Sequence, residues 1–502
     1  MTTIAPEQKN TKKSVVEAVP TPPSINPSVQ GCFKSLETEY SYWVDDIEGV
    51  IPKDLEGTFL RNGPGRLDLG GESIGHWFDG DGMIAATTFT NGKAHFKNRY
   101  IRTQKYIDET EQGYYSYRGM GTLYPGGPLK NIFRKPGNLA NTSLVWHGNK
   151  LLALWEGGKP HEIDPMFLST KGIYDYDKGL KLGDAFSAHG KVNAKTGQYI
   201  NFGITATGIG LNGPKFGLNI FKISPNGHLV QRAVVDVDRF CFCHDFAMTE
   251  NYAIFFVSSI VYKDAFSALI GTKAMKECLD FDARLPAGVV VVDLNTLLPV
   301  ERFELEPSAI VHFSNSFERK DELIIDGMKF TDFEVNKQLS NVHREDFKLT
   351  LGAYTRYRIN LRKGKIREEA ISDKAVGCEF PQWDQRFTGQ ETTMTFAGAS
   401  TNNGYDGFFN SIQKVDFKRD KVDIHQFDPG QYNGEPFFVP KNQKAKEGEG
   451  YLLSYVYDAN VDKSHVVVLD AKDISKQYAK INFKHHIPQG FHGWYIPEVF
   501  LA

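Results

Sequence analysis

Cysteine is scarce in this sequence, and it has no long apolar segment and no excess of positive charge. Five cysteines in 502 residues, irregularly spaced, are too few for a disulfide framework and favour a reducing, cytoplasmic location. The longest strongly apolar run, Ala287–Leu294, is far shorter than the ~20 residues that a membrane-spanning helix needs. A net charge of −3 offers no basic surface for nucleic acid. The N-terminus also lacks the apolar core of a secretory signal, so we expect a cytoplasmic protein without a nucleic-acid partner.

Helical patterns are rare, and no internal repeat is visible. Only the segment 263–278 suggests an amphipathic helix, with Phe266, Leu269 and Ile270 on one face. Elsewhere, short runs of β-branched and aromatic residues alternate with turn signals such as Asn91-Gly92. Propeller blades can diverge until no repeat is readable, so the missing repeat counts only weakly against a propeller. The pattern predicts an all-β fold.

The N-terminal segment differs in composition from the rest of the chain. Residues 1–35 are rich in Pro, Thr, Ser, Asn and Lys, which predicts a disordered tail. The chain as a whole is 41% hydrophobic and 13% aromatic, enough for a large core and for an apolar ligand tunnel. We therefore expect residues 36–502 to form a single domain.

Four histidines stand in distinctive contexts that lie far apart in the chain. The contexts are Ser187-Ala188-His189, Cys243-His244-Asp245-Phe246, Val311-His312-Phe313-Ser314-Asn315 and Gly490-Phe491-His492-Gly493-Trp494. Such wide separations exclude a site on one helix or loop and suit a metal ion on the axis of a radially repeated fold. Taken singly, each histidine is more often a satisfied core residue than a ligand. Cys241 and Cys243 lack a second cysteine pair, so buried packing is favoured over a zinc site.

Several further segments resemble the signatures of the carotenoid cleavage oxygenase family, most of all its bacterial, cyanobacterial-type apocarotenoid members. These segments are Gly57-Thr58-Phe59-Leu60-Arg61-Asn62-Gly63-Pro64-Gly65, His76-Trp77-Phe78-Asp79-Gly80-Asp81-Gly82-Met83, Ala140-Asn141-Thr142, Leu152-Ala153-Leu154-Trp155-Glu156-Gly157-Gly158, Cys378-Glu379-Phe380-Pro381 and Gly434-Glu435-Pro436. The histidine contexts fall between and after them in the family's order, and the match spans about residues 40–495. No single segment is decisive, but the ordered set is specific.

The resemblance implies a seven-bladed β-propeller with an axial metal site and a cap of loops and helices on one face. It also implies Fe²⁺ as the cofactor, with four ligands: His189, His244, His312 and His492. Three glutamates would hydrogen-bond to these histidines and offset the metal's charge: Glu156, Glu379 and Glu435. Thr142 matches a threonine whose methyl group crowds one open coordination position and leaves a single site for O2.

Aromatic residues that match or adjoin the family's substrate tunnel are Phe78, Trp155, Phe242 and Phe380. Relatives commonly carry Phe-His-His at the third ligand, whereas this chain has Val311 before the ligand and Phe313 after it. We therefore expect a wider tunnel beside the metal, which leaves the substrate length and the cleaved bond open. Aromatic walls suit a rigid polyene because they bind it by area and shape.

The amphipathic segment carrying Phe266, Leu269 and Ile270 falls where relatives place apolar residues around the tunnel mouth. Carotenoids dissolve in membranes, so this patch implies peripheral contact with a membrane surface. The alternative is a helix that simply packs on the propeller.

The activity that the resemblance implies is oxidative cleavage of one conjugated C=C bond of a carotenoid or apocarotenoid by O2. The products would be two carbonyl compounds, aldehydes of the retinal or apocarotenal type. A stilbene or other phenylpropanoid is the alternative substrate, and it would require a lysine and a tyrosine in the tunnel. A propeller that binds without catalysis is a third hypothesis, although such a protein would not need the histidine and glutamate set. Isomerohydrolase chemistry on retinyl esters, known from animal relatives, has no specific support here.

Overall fold

Strands dominate the computed structural model, which describes residues 27–124, 126–132, 134, 136–210, 213–237, 239–344, 347–401 and 408–501. Seven sheets of four to six antiparallel strands form the blades of a seven-bladed β-propeller. The predicted all-β class and the propeller are therefore confirmed. Antiparallel neighbours follow from the short turns that join most consecutive strands.

Blades 2 to 6 are each built from strands that follow one another in the chain. Their strands are, for blade 2, Ser143–His147, Lys150–Leu154, His161–Ile163 and Thr170–Ile173; for blade 3, Lys191–Val192, Tyr199–Gly210, Gly213–Ile223 and Leu229–Val237; for blade 4, Ala247–Met248, Tyr252–Val257, Ala287–Asp293 and Pro299–Leu305; for blade 5, Ala309–Arg319, Glu322–Phe330, Ala353–Asn360 and Lys365–Ala370; and for blade 6, Cys378–Gln382, Met394–Ala399, Ser411–Asp416 and Lys421–Gln426. The first strand of each set lies at one edge of its sheet, on the propeller axis.

Blades 1 and 7 close the ring by combining strands from both ends of the chain. Their strands are, for blade 1, Ser41–Trp43, Lys93–Tyr100, Asp81–Thr90, Gly57–Arg66 and Gly493–Ile496; and for blade 7, Ile47–Gly49, Gln477–Asn482, Lys463–Asp470, Gly450–Asp458, Gln431–Asn433 and Phe437–Pro440. In blade 1 the axial strand is Gly493–Ile496, which pairs with Gly57–Arg66. Closure of this kind protects the sheet edges that an open array would expose.

Packing between blades is apolar and largely aromatic. The ring of Phe256 in blade 4 lies 5.0 Å from the rings of both Phe313 and Tyr357 in blade 5, measured between centroids. Phe202 in blade 3 lies 5.2 Å from Phe255 in blade 4. Such pairs add to the hydrophobic stabilisation because each ring buries a large area against the neighbouring sheet. The aromatic content predicted for strands thus serves mainly to join the blades.

The turn predicted at Asn91-Gly92 connects two strands of blade 1, Asp81–Thr90 and Lys93–Tyr100. Both turn residues have positive φ, 52° for Asn91 and 72° for Gly92. Two consecutive left-handed residues are the requirement of a type I′ hairpin, and Asn-Gly is the pair that adopts it most readily. The prediction is confirmed.

Short helices and loops from several blades form a cap on one face of the ring. Its elements are the helices Gln104–Gln112, Pro128–Asn131, Ala265–Ile270, Met275–Cys278 and Glu334–Gln338, the 3-10 turns Trp77–Asp79 and Leu339–Asn341, and the strand pairs Ile260–Tyr262 with Leu279–Phe281 and Asp68–Leu69 with Glu72–Ser73. A further 3-10 turn, Gln385–Phe387, lies outside the cap. Contacts such as His76 Nε2 to the Asn336 carbonyl, at 3.1 Å, join loops of blades 1 and 5. The helices of the described residues all lack the length and apolar character needed to cross a membrane.

The single helix predicted over 263–278 is wrong in its extent. Two short helices, Ala265–Ile270 and Met275–Cys278, replace it. Gly271 ends the first with a left-handed φ of 72°, a conformation that favours glycine. The side chain of Leu269 lies outside the described residues, so its place on the predicted apolar face is not tested.

The boundary of the predicted tail also needs correction. Pro27–Phe33 forms a 3-10 helix, and Val29, Cys32 and Phe33 within it are buried. The Phe33 ring meets Trp77 edge-on, with 5.5 Å between centroids. Packed structure therefore begins before residue 36, because this short segment carries apolar side chains that the composition argument overlooked. Residues 1–26 lie outside the described residues, and their disorder stays a prediction.

Candidate metal centre and substrate tunnel

The axial strand of every blade, or a residue at most three positions from it in the chain, carries one polar side chain of the candidate site. In blade order from 1 to 7, these residues are His492, Thr142, His189, His244, His312, Glu379 and Glu435. Seven-fold repetition thus gathers residues that are distant in sequence, which explains the wide histidine spacing. Glu156 joins them from the end of the second strand of blade 2, just after Lys150–Leu154.

The four predicted histidines form one cluster. One ligand nitrogen from each lies within 4.8 Å of the other three. The closest pair is His189 Nε2 and His244 Nε2, at 2.9 Å. Nitrogens that ligate one ion at about 2.1 Å lie at most about 4.2 Å apart, so a small contraction of the widest pair would bring all four onto one ion.

Hydrogen bonds to the three predicted glutamates set the orientation of three of these rings. Each histidine offers Nδ1 to a carboxylate: His244 to Glu156 at 2.7 Å, His312 to Glu379 at 2.5 Å and His492 to Glu435 at 2.9 Å. In a neutral imidazole whose Nδ1 carries the proton, Nε2 has a free lone pair. The carboxylates therefore direct three Nε2 lone pairs toward the centre of the cluster, as expected for metal ligands.

The protonation state of two of the histidines also suits the binding of a metal cation. Burial and the neighbouring imidazoles hold the pKa of His189 and His312 well below the usual range, so both rings are neutral and able to ligate. His312 Nε2 is buried and has no hydrogen-bond partner among the residues that the structure describes. A buried nitrogen without a partner is costly, and a metal ion would satisfy it. Imidazole is a suitable ligand for iron but also for zinc, copper and nickel, so the cluster alone does not select the metal.

Glu435 is the most thoroughly bonded of the three carboxylates. It accepts hydrogen bonds from Arg61 Nη1 at 3.0 Å, Gln382 Nε2 at 2.8 Å and the Gly493 backbone N–H at 2.8 Å, besides His492. Burial alone would raise the pKa of Glu435, but His492 and Arg61 outweigh it and the pKa is lowered. The lowered pKa favours the ionised form of this carboxylate.

Glu379 has fewer partners. Within the described part of the chain, its one further donor beyond His312 is the backbone N–H of Phe380, at 3.1 Å, and its Oε1 is buried without a hydrogen bond. Burial raises the pKa of Glu379 to about 8. A positive charge in the cluster would stabilise its ionised form. Glu156 differs again, because its side chain is 41% exposed and borders the tunnel cavity.

Asp245, which follows the ligand candidate His244, ties three of the four histidine segments together. Its carboxylate forms an ion pair of 3.0 Å with Lys191, two residues after His189. It also accepts the backbone N–H of Phe246 at 2.7 Å and of Phe313, the residue after His312, at 2.8 Å. We call Asp245 and Lys191 the clasp. Both side chains are buried, so the clasp fixes the relative positions of blades 3, 4 and 5 at the axis.

Two residues beside the cluster have left-handed backbone although neither is glycine. Phe380 has a φ of 55° and Ala140 a φ of 47°. Such conformations cost about 1–3 kcal/mol each and persist only where the surroundings enforce them. At Phe380 the result is a ring packed against His312 and His492, with centroids 5.3 Å and 4.7 Å away.

A cavity, which we call the tunnel, leads from the cluster through the cap. All five predicted tunnel residues line it: Phe78, Trp155, Phe242, Val311 and Phe380. Further apolar lining residues, which sequence reasoning missed, come mainly from cap loops: Trp77, Met120, Phe330, Phe333, Val335, Leu339, Leu349, Leu351, Phe408, Phe409 and Phe491. Runs of apolar residues within loops could have indicated these tunnel residues, because surface loops are usually polar.

Thr142 also lines the tunnel, beside the cluster. Its hydroxyl donates to Asn141 Oδ1 at 3.1 Å. The amide of Asn141 in turn donates to the carbonyls of Phe78 at 2.9 Å and Gly80 at 2.8 Å. Asn141 therefore fixes the side chain of Thr142 relative to the tunnel wall, a role that its position beside the predicted threonine did not reveal.

A second cavity reaches the cluster from the opposite face, along the propeller axis. We call it the axial channel. It is lined by axial-strand residues and their neighbours, among them Lys191, Val192, Asp245, Gln382, Trp383, Glu435, Trp494 and Pro497. His189 lines the axial channel only, His244 lines the tunnel only, and His312 and His492 border both cavities. The cluster thus forms the partition between two compartments.

The predicted membrane patch lies at the surface of the cap. Phe266 is 69% exposed, and Leu129, on the neighbouring helix Pro128–Asn131, is 86% exposed. Ile270 is half-buried. The two helices contact each other, so Leu129 extends the predicted patch.

Comparison with known proteins assigns the family. A family model described as retinal pigment epithelial membrane protein, RPE65, matches residues 33–497. The chain belongs to this family, that of RPE65 and the carotenoid cleavage oxygenases. It is 32% identical over 494 residues to the apocarotenoid-15,15'-oxygenase of Synechocystis sp., covering 95% of this chain and 99% of that protein.

A solved structure of the Synechocystis enzyme and one further relative bear on the metal and the substrate. A crystal structure of cobalt-substituted Synechocystis apocarotenoid oxygenase superposes with a TM-score of 0.86 at 32% identity, covering 94% of this chain and 99% of that one. The lignostilbene-α,β-dioxygenase isozyme III of Sphingomonas paucimobilis is 29% identical over 489 residues, covering 92% of this chain and 95% of that protein. The family therefore includes enzymes named for both polyene and stilbene substrates.

Proposed function

We propose that this protein is a non-haem iron oxygenase that cleaves one conjugated C=C bond of a carotenoid or apocarotenoid with O2. The products are aldehydes of the retinal or apocarotenal type. One observation carries the proposal: four imidazoles, three of them hydrogen-bonded to carboxylates, converge at the end of a tunnel whose walls are aromatic and aliphatic. A metal centre joined to an apolar tunnel suits an insoluble polyene.

Fe²⁺, held by His189, His244, His312 and His492, would supply the activation of O2. The name of the cobalt-substituted relative supports a divalent metal at such a centre. The protein's own contribution is orientation and exclusion of water. Thr142 narrows the space beside the cluster to one small ligand, and Glu156, Glu379 and Glu435 offset the charge.

The tunnel walls favour a polyene over a stilbene. Among the described residues that line the tunnel there is no lysine, arginine or tyrosine, so a phenol hydroxyl would have no ionic or phenolic partner. The charged side chains in the lining, Glu156 and Glu379, are hydrogen-bonded to histidines of the cluster. Val311 leaves space for a chain longer or bulkier than an aromatic residue would admit.

The membrane patch supports peripheral binding to a lipid surface, from which the substrate would enter. Phe266 and Leu129 project from the cap that also surrounds the tunnel, and the patch requires no spanning helix. Residence in the cytoplasm, with transient contact to a membrane, is part of this proposal.

The test uses protein loaded with Fe²⁺ in the absence of oxygen. Air is then admitted with β-apocarotenals, full-length carotenoids or resveratrol as substrate, and products are identified by mass and chromatography. Aldehydes from an apocarotenal support the proposal and identify the cleaved bond. Cleavage of resveratrol alone moves the protein to the stilbene-cleaving group.

Two negative results have different meanings. If one iron is bound per chain but no substrate is turned over, the substrate class is wrong. If no iron is bound and nothing is turned over, the protein is a binding propeller rather than an oxygenase.

A further inference from the structure

Two cavities of unlike chemistry meet at the histidine cluster, and the proposed reaction uses only one of them. The tunnel accounts for the polyene. The axial channel on the other side has no role in substrate binding, because it is separated from the tunnel by His312, His492 and Phe380, which border both. The residues that line the axial channel therefore have to indicate its function.

The axial channel offers polar groups along its length. Gln382, Glu435 and Asp245 line it with amide and carboxylate oxygens, and the two cationic side chains of its wall, Lys191 and Arg386, are paired with Asp245 and Asp384. His189 presents its ring to this cavity and not to the tunnel. A hydrated cation that approaches from this side therefore meets oxygen and nitrogen ligands before it reaches the cluster.

The tunnel is a poor path for such an ion. A cation loses its hydration shell among apolar side chains without replacement, which costs far more than passage between carboxylate and amide oxygens. The tunnel's carboxylates, Glu156 and Glu379, lie only at its inner end, against the histidines. Substrate held in the tunnel would also block the ion, whereas the axial channel stays open.

We propose that the metal ion enters and leaves the histidine cluster through the axial channel, and that the tunnel admits only the substrate. This proposal rests on the proposed function in one respect, namely that the cluster binds a metal. It adds that one face of the propeller exchanges the metal ion and the other admits the substrate. The lining near the clasp would act as a polar relay from solvent to His189.

The test blocks each cavity separately with a bulky maleimide on an introduced cysteine. Pro497→Cys places the label in the axial channel and Thr350→Cys places it in the tunnel, since each residue is exposed and lines only one cavity. The five native cysteines are all buried, so labelling is confined to the new site. Each protein is loaded with Co²⁺, its metal content is measured, it is then labelled, and the rate of metal transfer to a chelator is followed optically.

We expect the label in Pro497→Cys to slow metal release several-fold and the label in Thr350→Cys to leave it unchanged. Binding of an apolar fluorescent probe should show the reverse pattern, which confirms that each label blocks its own cavity. Slowing by the tunnel label alone, equal slowing by both labels, or no slowing by either would overturn the proposal. Failure of the unlabelled protein to bind Co²⁺ would instead contradict the metal centre itself, and this is detected before labelling.

Discussion

The tunnel and the axial channel meet at one histidine cluster, and each is lined by three of its four histidines, yet different parts of the chain build them. The tunnel is lined mostly by cap loops, such as those carrying Phe78, Phe333 and Phe408. The channel is lined mostly by the axial strands themselves, including Lys191–Val192 and Gly493–Ile496. Loops tolerate change more readily than strands that join blades. Substrate preference can therefore vary on one side of the cluster while the metal centre is held constant from the other.

The largest effect is expected from a residue that both cavities share. His312→Ala removes one ligand nitrogen and leaves Glu379 buried without its partner, so bound metal and cleavage should fall by about 100-fold or more. Metal content per chain and product formation measure the effect. His147→Gln is the control, because this half-buried histidine lines the channel but lies outside the cluster. Equal metal content in the two variants would refute the assignment.

The clasp, Asp245 with Lys191, should contribute to metal affinity as well as to the stability of the fold. Asp245→Asn leaves Lys191 buried without its counter-ion, which should destabilise the protein by about 3–5 kcal/mol and weaken metal binding about 10–100-fold. Urea unfolding and metal titration report the two quantities.

A matched control separates these effects. Asp326→Asn breaks another buried ion pair, with Arg356 at 2.7 Å, in blade 5 away from the cluster. It should reduce stability comparably while leaving metal affinity intact. If both variants bind metal equally well, the clasp is a stabilising pair with no influence on the centre.

A substitution confined to the tunnel should weaken substrate binding and leave metal binding unchanged. Val311→Phe introduces the aromatic residue that the family resemblance led us to expect. The added volume should cost a long apocarotenal about 1–3 kcal/mol of binding, which is roughly tenfold or more in kcat/KM. A shorter substrate should lose less. Val192→Phe, on the channel side, is the corresponding control. Loss of metal from Val311→Phe would contradict the separation of the two sides.

The smallest effect is a pH dependence of stability from the cap. Burial lowers the pKa of His76 to about 3, while Nδ1 of this residue accepts from Phe78 N–H and Nε2 donates to the Asn336 carbonyl. The folded pKa lies below the unfolded value of about 6.5. The contribution of the neutral His76 ring to the free energy of unfolding is therefore complete above pH 6.5. It is lost as the pH falls toward about 3, by at most about 1.4 kcal/mol per pH unit.

Urea unfolding at neutral and mildly acidic pH tests this dependence. His76→Gln should flatten the pH profile relative to the parent, and His228→Gln, at an exposed histidine, should leave it unchanged. An unaltered slope in the His76 variant would show that other buried groups dominate.

Local patterns and family resemblance together predicted the propeller, the cap, the histidine cluster and its glutamates. The alternating strands and the Asn91-Gly92 turn follow from local chemistry, which is why they were predictable. The break at Gly271 was signalled by glycine inside a helical pattern, a signal outweighed by the periodicity. The Asp245–Lys191 pair and the axial channel join blades that are distant in sequence, so no local pattern encodes them. The left-handed φ of Phe380 likewise arises from packing around it rather than from its own preference.

The closure of the ring by Gly493–Ile496 has a consequence for the order of events in biosynthesis. His492 immediately precedes this strand, and the other three histidines of the cluster are made long before it. While residues 493–496 are still inside the ribosome, blade 1 lacks its axial strand and the cluster lacks one member. Assembly of the full cluster therefore has to wait until residues 493–496 have left the ribosome, and a chain truncated before His492 would lack one of the four histidines.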